Sequence, residues 1–152
     1  MVAVSLKKKN ENFISLSTAL ESIKGDAKEL VLQMDIEGHE FGAISSLSKR
    51  ELDAFRIIVI EFHRLQDWQN QSLFETSIEP VFRALLGTFD VVHVHPNNCD
   101  GVFYIGRKRI PRAIEITFHN KSRRKSPPVP CKIPHELDSP NSIEIPDIQL
   151  KF

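Results

Sequence analysis

Two short stretches concentrate groups that can do chemistry. DIEGHE, residues 35–40, carries Asp35, Glu37 and Glu40 with His39 around Gly38, and EFHR, residues 61–64, carries Glu61 and His63. Carboxylates are hard oxygen donors, so Asp35, Glu37 and Glu61 are candidate ligands for Mg²⁺ or Mn²⁺. The same acids and His63 are also candidates for a general base that takes a proton from a hydroxyl. A structural reading stands beside the chemical one. Asp35 can N-cap the following helix, Glu37 and Glu40 can favour its positive end, and Gly38 can supply the positive φ of a tight turn.

A third stretch, HPNN at 95–98, offers His95, Asn97 and Asn98 as candidate substrate-binding groups, because their rings and amides both donate and accept. Asn and Pro are also ordinary turn formers. His93 and His95 share one face of an alternating segment, a spacing more often met in half-exposed or core histidines than in metal ligands.

These groups need elements to hold them. LVLQM before Asp35 and RIIVIEF before His63 are continuous apolar runs, the pattern of parallel strands buried on both faces. FGAISSL between them places Phe41, Ile44 and Leu47 at helical spacing, so DIEGHE is a strand-to-helix turn. Capping-box spacing occurs at Thr18 and Glu21, at Ser48 and Glu51, and at Thr76 and Glu79, the last followed by Pro80 in a first turn. Gly25 and Gly87 are placed to end the first and third of these helices. FDVVHVH alternates with Val92 and Val94 on one face, and AIEITFH alternates with Ile114, Ile116 and Phe118 opposite Glu115 and Thr117. Val102–Ile105 is a candidate minor strand. Phe13, Phe41, Phe55 and Phe62 are expected in the core.

The expectation is therefore an α/β unit over residues 13–120, with parallel strands followed by an antiparallel pair. Residues 121–152 are rich in proline and charge and form an extended tail over that unit. Twenty basic and twenty acidic residues give a net charge of +0. Such a balance supplies no overall field for nucleic acid, and the basic runs KSRRK and RKR lack interleaved aromatics for stacking. Phosphate or anionic lipid could meet those runs, although most such runs are solvated faces. Cys99 and Cys131 form no disulfide or zinc pattern, the N-terminus lacks a signal peptide's order, and no run could span a bilayer, so a cytoplasmic protein is expected.

Taken in order, LVLQMDIEGHEFGAI, IIVIEFH, VVHVHPNNCDGV and AIEITF resemble the FkbM-like family of S-adenosylmethionine-dependent methyltransferases. The resemblance implies a Rossmann-like sheet, with DIEG after the fourth strand, IEFH on the fifth and the last two blocks on an antiparallel pair. It implies methyl transfer to an acceptor hydroxyl, on a small molecule or a glycan. Asp35, Glu37 and Glu40 would lie at the mouth of the site beside Glu61 and His63, with S-adenosylmethionine as cofactor and a divalent cation as an assistant. One feature departs from the family: no two of the six glycines are separated by a single residue, so no glycine-rich cofactor turn is present.

Fewer than thirty residues precede the DIEG strand. The expectation is a C-terminal half in which that strand's outer edge is unpaired and open to a second chain or to self-association. A non-catalytic binding module and a metal-dependent hydrolase are the alternatives.

Overall fold

A computed structural model describes residues 3–6, 15–23, 29–127, 129 and 133–150. The strands are β1 (Ala3–Leu6), β2 (Leu30–Met34), β3 (Phe55–Phe62), β4 (Phe89–Pro96), β5 (Val102–Ile105), β6 (Lys108–Pro111) and β7 (Ile114–Asn120). The helices are α1 (Leu16–Glu21), α2 (Glu40–Ser45), α3 (Lys49–Leu52), α4 (Gln71–Leu73) and α5 (Glu79–Thr88). Five strands form one mixed sheet in the order β1-β2-β3-β7-β4, and β5 and β6 form a separate hairpin. The pairs β1–β2 and β2–β3 are parallel; β7 slots between β3 and β4 antiparallel to both. The outer edge of β2, expected to be open, is thus covered by residues 3–6.

Strands β2 and β3 are buried on one face, not both. Leu30, Leu32 and Met34 point into the core while Gln33 between them is exposed. In β3, Phe55, Ile58, Ile60 and Phe62 are buried while Arg56 is exposed and Glu61 is half-buried. Ile44 of α2, Leu52 of α3 and Val81 and Leu85 of α5 join this same cluster, so the apolar side of the sheet is the one the helices cover. Phe41, Phe62, Phe82 and Trp68 lock α2 and α5 onto the end of β3, with ring centroids 5.1 Å apart for Phe41–Phe62 and Phe62–Phe82 and 5.3 Å for Trp68–Phe82. Edge and tilted ring contacts of this kind favour one arrangement of the elements.

The helix starts follow the sequence in part. Ser48 and Glu51 form the expected capping box. At α1 the cap is Ser15, whose side chain accepts from the Thr18 N–H, so Thr18 lies inside the helix. Thr76 caps nothing either: its hydroxyl donates to the Ser72 carbonyl within a helical stretch already under way from Gln71, including a π-turn at Phe74–Ile78. Gly87 does not end α5, which runs on to Thr88. Val92 does not join Val94 in the core, because the pairing with β7 shifts between Val91 and His93 and leaves Val92 exposed. Phe13, Gly25 and Cys131 lie outside the described residues.

The chain beyond β7 is tied to the domain by specific bonds. Lys121 Nζ donates to the Leu86 carbonyl, Arg123 reaches Glu29 and the Asp53 carbonyl, and Arg124 meets Asp90 at 3.0 Å. Three side chains of the KSRRK run thus stitch it to other elements, while the run itself stays mostly exposed. Among the described residues no helix is long and apolar enough to cross a membrane.

Candidate functional site

The turn after β2 is built from two consecutive left-handed residues, Glu37 at φ 57° and Gly38 at φ 96°. The φ of Gly38 favours glycine, because it disfavours a side chain; a Cβ there would also stand 3.0 Å from Cδ of Arg64, an exposed side chain that would have to shift. The turn does not use Asp35 as a cap; the N-cap of α2 is His39, without a side-chain cap bond. Instead the Gly38 N–H donates to Glu40 Oε1 at 2.9 Å.

Glu40, the first residue of α2, is completely buried and so lies beneath the site and not at its mouth. Its Oε1 also lies 3.0 Å from Nδ1 of His63, which follows the end of β3 and is itself buried. Its Oε2 has no hydrogen-bond partner among the described residues. A carboxylate at that nitrogen favours the tautomer with the proton on Nδ1, leaving a lone pair on Nε2. Nε2 faces Asp35 at 3.8 Å and Glu37 at 3.7 Å, both longer than hydrogen bonds.

Burial alone would lower the pKa of His63. The hydrogen bond and charge of Glu40, with the charges of Glu61 and Glu37, outweigh it and raise the value above that of an ordinary histidine. Burial pushes the Glu61 carboxyl up; Asn97 and His63 oppose this, and Asp35 and Asp100 reinforce it. Asn97 Nδ2 donates to Glu61 Oε1 at 2.6 Å, while Asn97 Oδ1 accepts from the Cys99 N–H. Asn97 therefore orients Glu61.

On the face of the sheet away from the helices, register sets Glu61 opposite Glu115 and Glu115 opposite His95. A cleft of about 290 Å³ opens over this row, bounded by Glu61, His95, Asn97 and Glu115 on one side and by Asp138 and Asn141 of the tail on the other. His95 Nε2 is buried without a hydrogen-bond partner among the described residues. His93 Nε2 pairs with Asp138 at 3.0 Å. Asn98 does not enter the cleft. Its amide donates to the Ser142 and Ile145 carbonyls, and its oxygen accepts from the Ser142 N–H, so it holds the tail.

The cleft and the His63 cluster meet at Glu61. One donor atom each from Asp35, Glu61 and His63 lie within 4.8 Å of one another, a spacing that can accept a cation. Glu37, proposed as a ligand from sequence, is outside this trio, and His63 takes its place. Glu115 was visible only as a polar position on an alternating strand. Asp138 and Asn141 carried no sequence signal, because they reach the cleft through the fold of the tail.

The methyltransferase FkbM domain family matches residues 6–104, which run from β1 into β5. No curated protein and no solved structure matches the chain.

Proposed function

The chain belongs to the FkbM methyltransferase domain family, and on that premise we propose that its site binds a hydroxyl-bearing small molecule and removes the hydroxyl proton during O-methylation. His63 Nε2 is the base. Glu40 fixes its ring and tautomer from below, as a buried carboxylate does for a histidine in other acid–base sites. Glu61, held by Asn97, positions the acceptor hydroxyl in front of it. The rest of the acceptor occupies the cleft towards His95 and Glu115, whose lining suits hydroxyl and amide groups better than an apolar molecule. The buried Glu40–His63 contact carries this reading, since a merely solvated acidic turn would not bury one carboxylate to orient a histidine.

S-adenosylmethionine, which methyltransferases use in general, supplies an electrophilic methyl group when bound. In the sequence no Gly-x-Gly follows β1, and residues 7–14 contain no glycine, so the glycine-rich form of the cofactor turn is not the one used here.

A cation held by Asp35, Glu61 and His63 is a second arrangement, favoured by their mutual spacing; it would compete for the same nitrogen. The test is transfer of a labelled methyl group from S-adenosylmethionine to a panel of hydroxyl compounds, with and without EDTA. His63→Gln is expected to lower the rate by about 10²–10⁴ with S-adenosylhomocysteine binding unchanged. Full activity in His63→Gln would remove His63 as base, and loss of activity in EDTA would favour the cation. Absence of both cofactor binding and transfer in the folded protein would leave a binding module.

A further inference from the structure

Two basic runs lie among the described residues, and the fold treats them oppositely. Lys121, Arg123 and Arg124 are taken up by bonds to Leu86, Glu29, Asp53 and Asp90. Arg107, Lys108 and Arg109, at the tip of the β5–β6 hairpin, are exposed and make no ion pair or side-chain hydrogen bond among the described residues.

The hairpin register explains what this tip presents. Phe103 opposes Ile110, Tyr104 opposes Arg109, and Ile105 opposes Lys108. Opposed residues share a face and successive residues alternate. Phe103 and Ile110 turn inward to the core, as their burial shows. Tyr104 and Arg109 turn away from it. Ile105 and Lys108 share the inward face but lie beyond the core's reach, above the turn formed with Gly106 at φ 60°. Tyr104 is 62% exposed and Ile105 50% exposed. An isolated hairpin thus ends in three free cations, one phenol ring and one aliphatic side chain.

We propose that this hairpin tip docks the protein on an anionic lipid surface. Each component has a place there: Arg and Lys meet the headgroup charge, Tyr sits at the headgroup level, and Ile105 enters the boundary with the acyl chains. A soluble phosphate ligand would account for the cations but not for the exposed Tyr104 and Ile105. A single-stranded nucleic acid would use a row of aromatic platforms, whereas Tyr104 is the one aromatic residue among the exposed tip positions 104–109.

The base of the hairpin orients the docked molecule. The Arg112 N–H bonds the Gly101 carbonyl, the Leu65 N–H bonds the Arg112 carbonyl, and the Asn97 N–H bonds the Ala113 carbonyl. These bonds root the hairpin at the same sheet end as His63 and Asn97, so docking sets the candidate site near the lipid surface. The proposal does not depend on methyl transfer and stands or falls separately from it.

The experiment is co-sedimentation of the purified chain with vesicles of phosphatidylcholine alone and with about 30% phosphatidylglycerol, in about 0.1 M salt. Binding is expected only to the anionic vesicles and is lost in about 1 M salt. At roughly fivefold per basic residue, Arg107→Gln with Lys108→Gln and Arg109→Gln should weaken binding about 100-fold. Tyr104→Ser with Ile105→Ser should weaken it about tenfold. Arg124→Gln, in the other basic run, should leave binding unchanged. These tip positions are exposed, so the variants should fold, to be checked by circular dichroism and size exclusion. Equal binding to neutral vesicles, undiminished binding by the triple variant, or binding of an oligonucleotide with none to vesicles would overturn the proposal.

Discussion

Replacing Glu40 by Gln is the most informative single change. The isosteric amide can still accept from the Gly38 N–H through Oε1, but its contact with His63 Nδ1 loses the carboxylate charge. A charge-assisted hydrogen bond contributes about 1 kcal/mol more than a neutral one. The new NH₂ group would occupy the position of Oε2, which is buried without a partner among the described residues, and adds a cost of about 1 kcal/mol.

The cost should depend on pH, with a defined sign. Because folding raises the pKa of His63, the stability it contributes is complete below its ordinary value of 6.5 and is lost as pH rises through the raised folded value. Glu40→Gln removes the main cause of that rise. Urea unfolding should therefore show a deficit of about 2 kcal/mol near pH 5.5 that shrinks to about 1 kcal/mol near pH 8.5. NMR titration of the His63 ring should show its pKa falling in the variant. A deficit that grows with pH, or an unchanged His63 titration, would refute the assignment of Glu40 as the group that holds it.

Other consequences concern the turn, the tail and a cap. Gly38→Ala should cost about 1–2 kcal/mol in thermal unfolding from its positive φ and the approach to Arg64, whereas Glu37→Gly should gain up to about 1 kcal/mol by relieving a left-handed non-glycine residue. Asn98→Ala removes the bonds to Ser142 and Ile145, and hydrogen exchange should show lost protection over residues 138–148 while β2 and β3 stay protected. Ser48→Ala should cost about 1 kcal/mol, measured by denaturant midpoint, because both halves of its capping box are formed.

Much of the site's scaffold was legible because local rules and fold agree there. The β-α-β alternation, the turn at DIEGHE and the Ser48–Glu51 box all follow from spacing within a few residues. What escaped depends on partners distant in sequence. The apolar runs of β2 and β3 suggested burial on both faces, yet the helices cover only one, and Gln33 and Arg56 mark the other. Glu40 looked equivalent to Glu37, although its place at the start of α2 turns it inward beneath His63. Asn97 and Asn98 are adjacent in the turn after β4 but diverge in role, one orienting Glu61 and the other gripping the tail. Ser15 and Thr18 both satisfy the local preference for a cap, and the helix starts at the first of them, with Leu16 buried.

The central claim is that His63 Nε2, oriented by Glu40, removes the proton from an acceptor hydroxyl. The pH dependence of kcat/KM for methyl transfer tests it most directly. The rate should rise with pH through an inflection above 6.5 and then level off. In Glu40→Gln the inflection should move to lower pH with a reduced plateau. An inflection at the same pH in both proteins, or a rate that falls through this range, would contradict it.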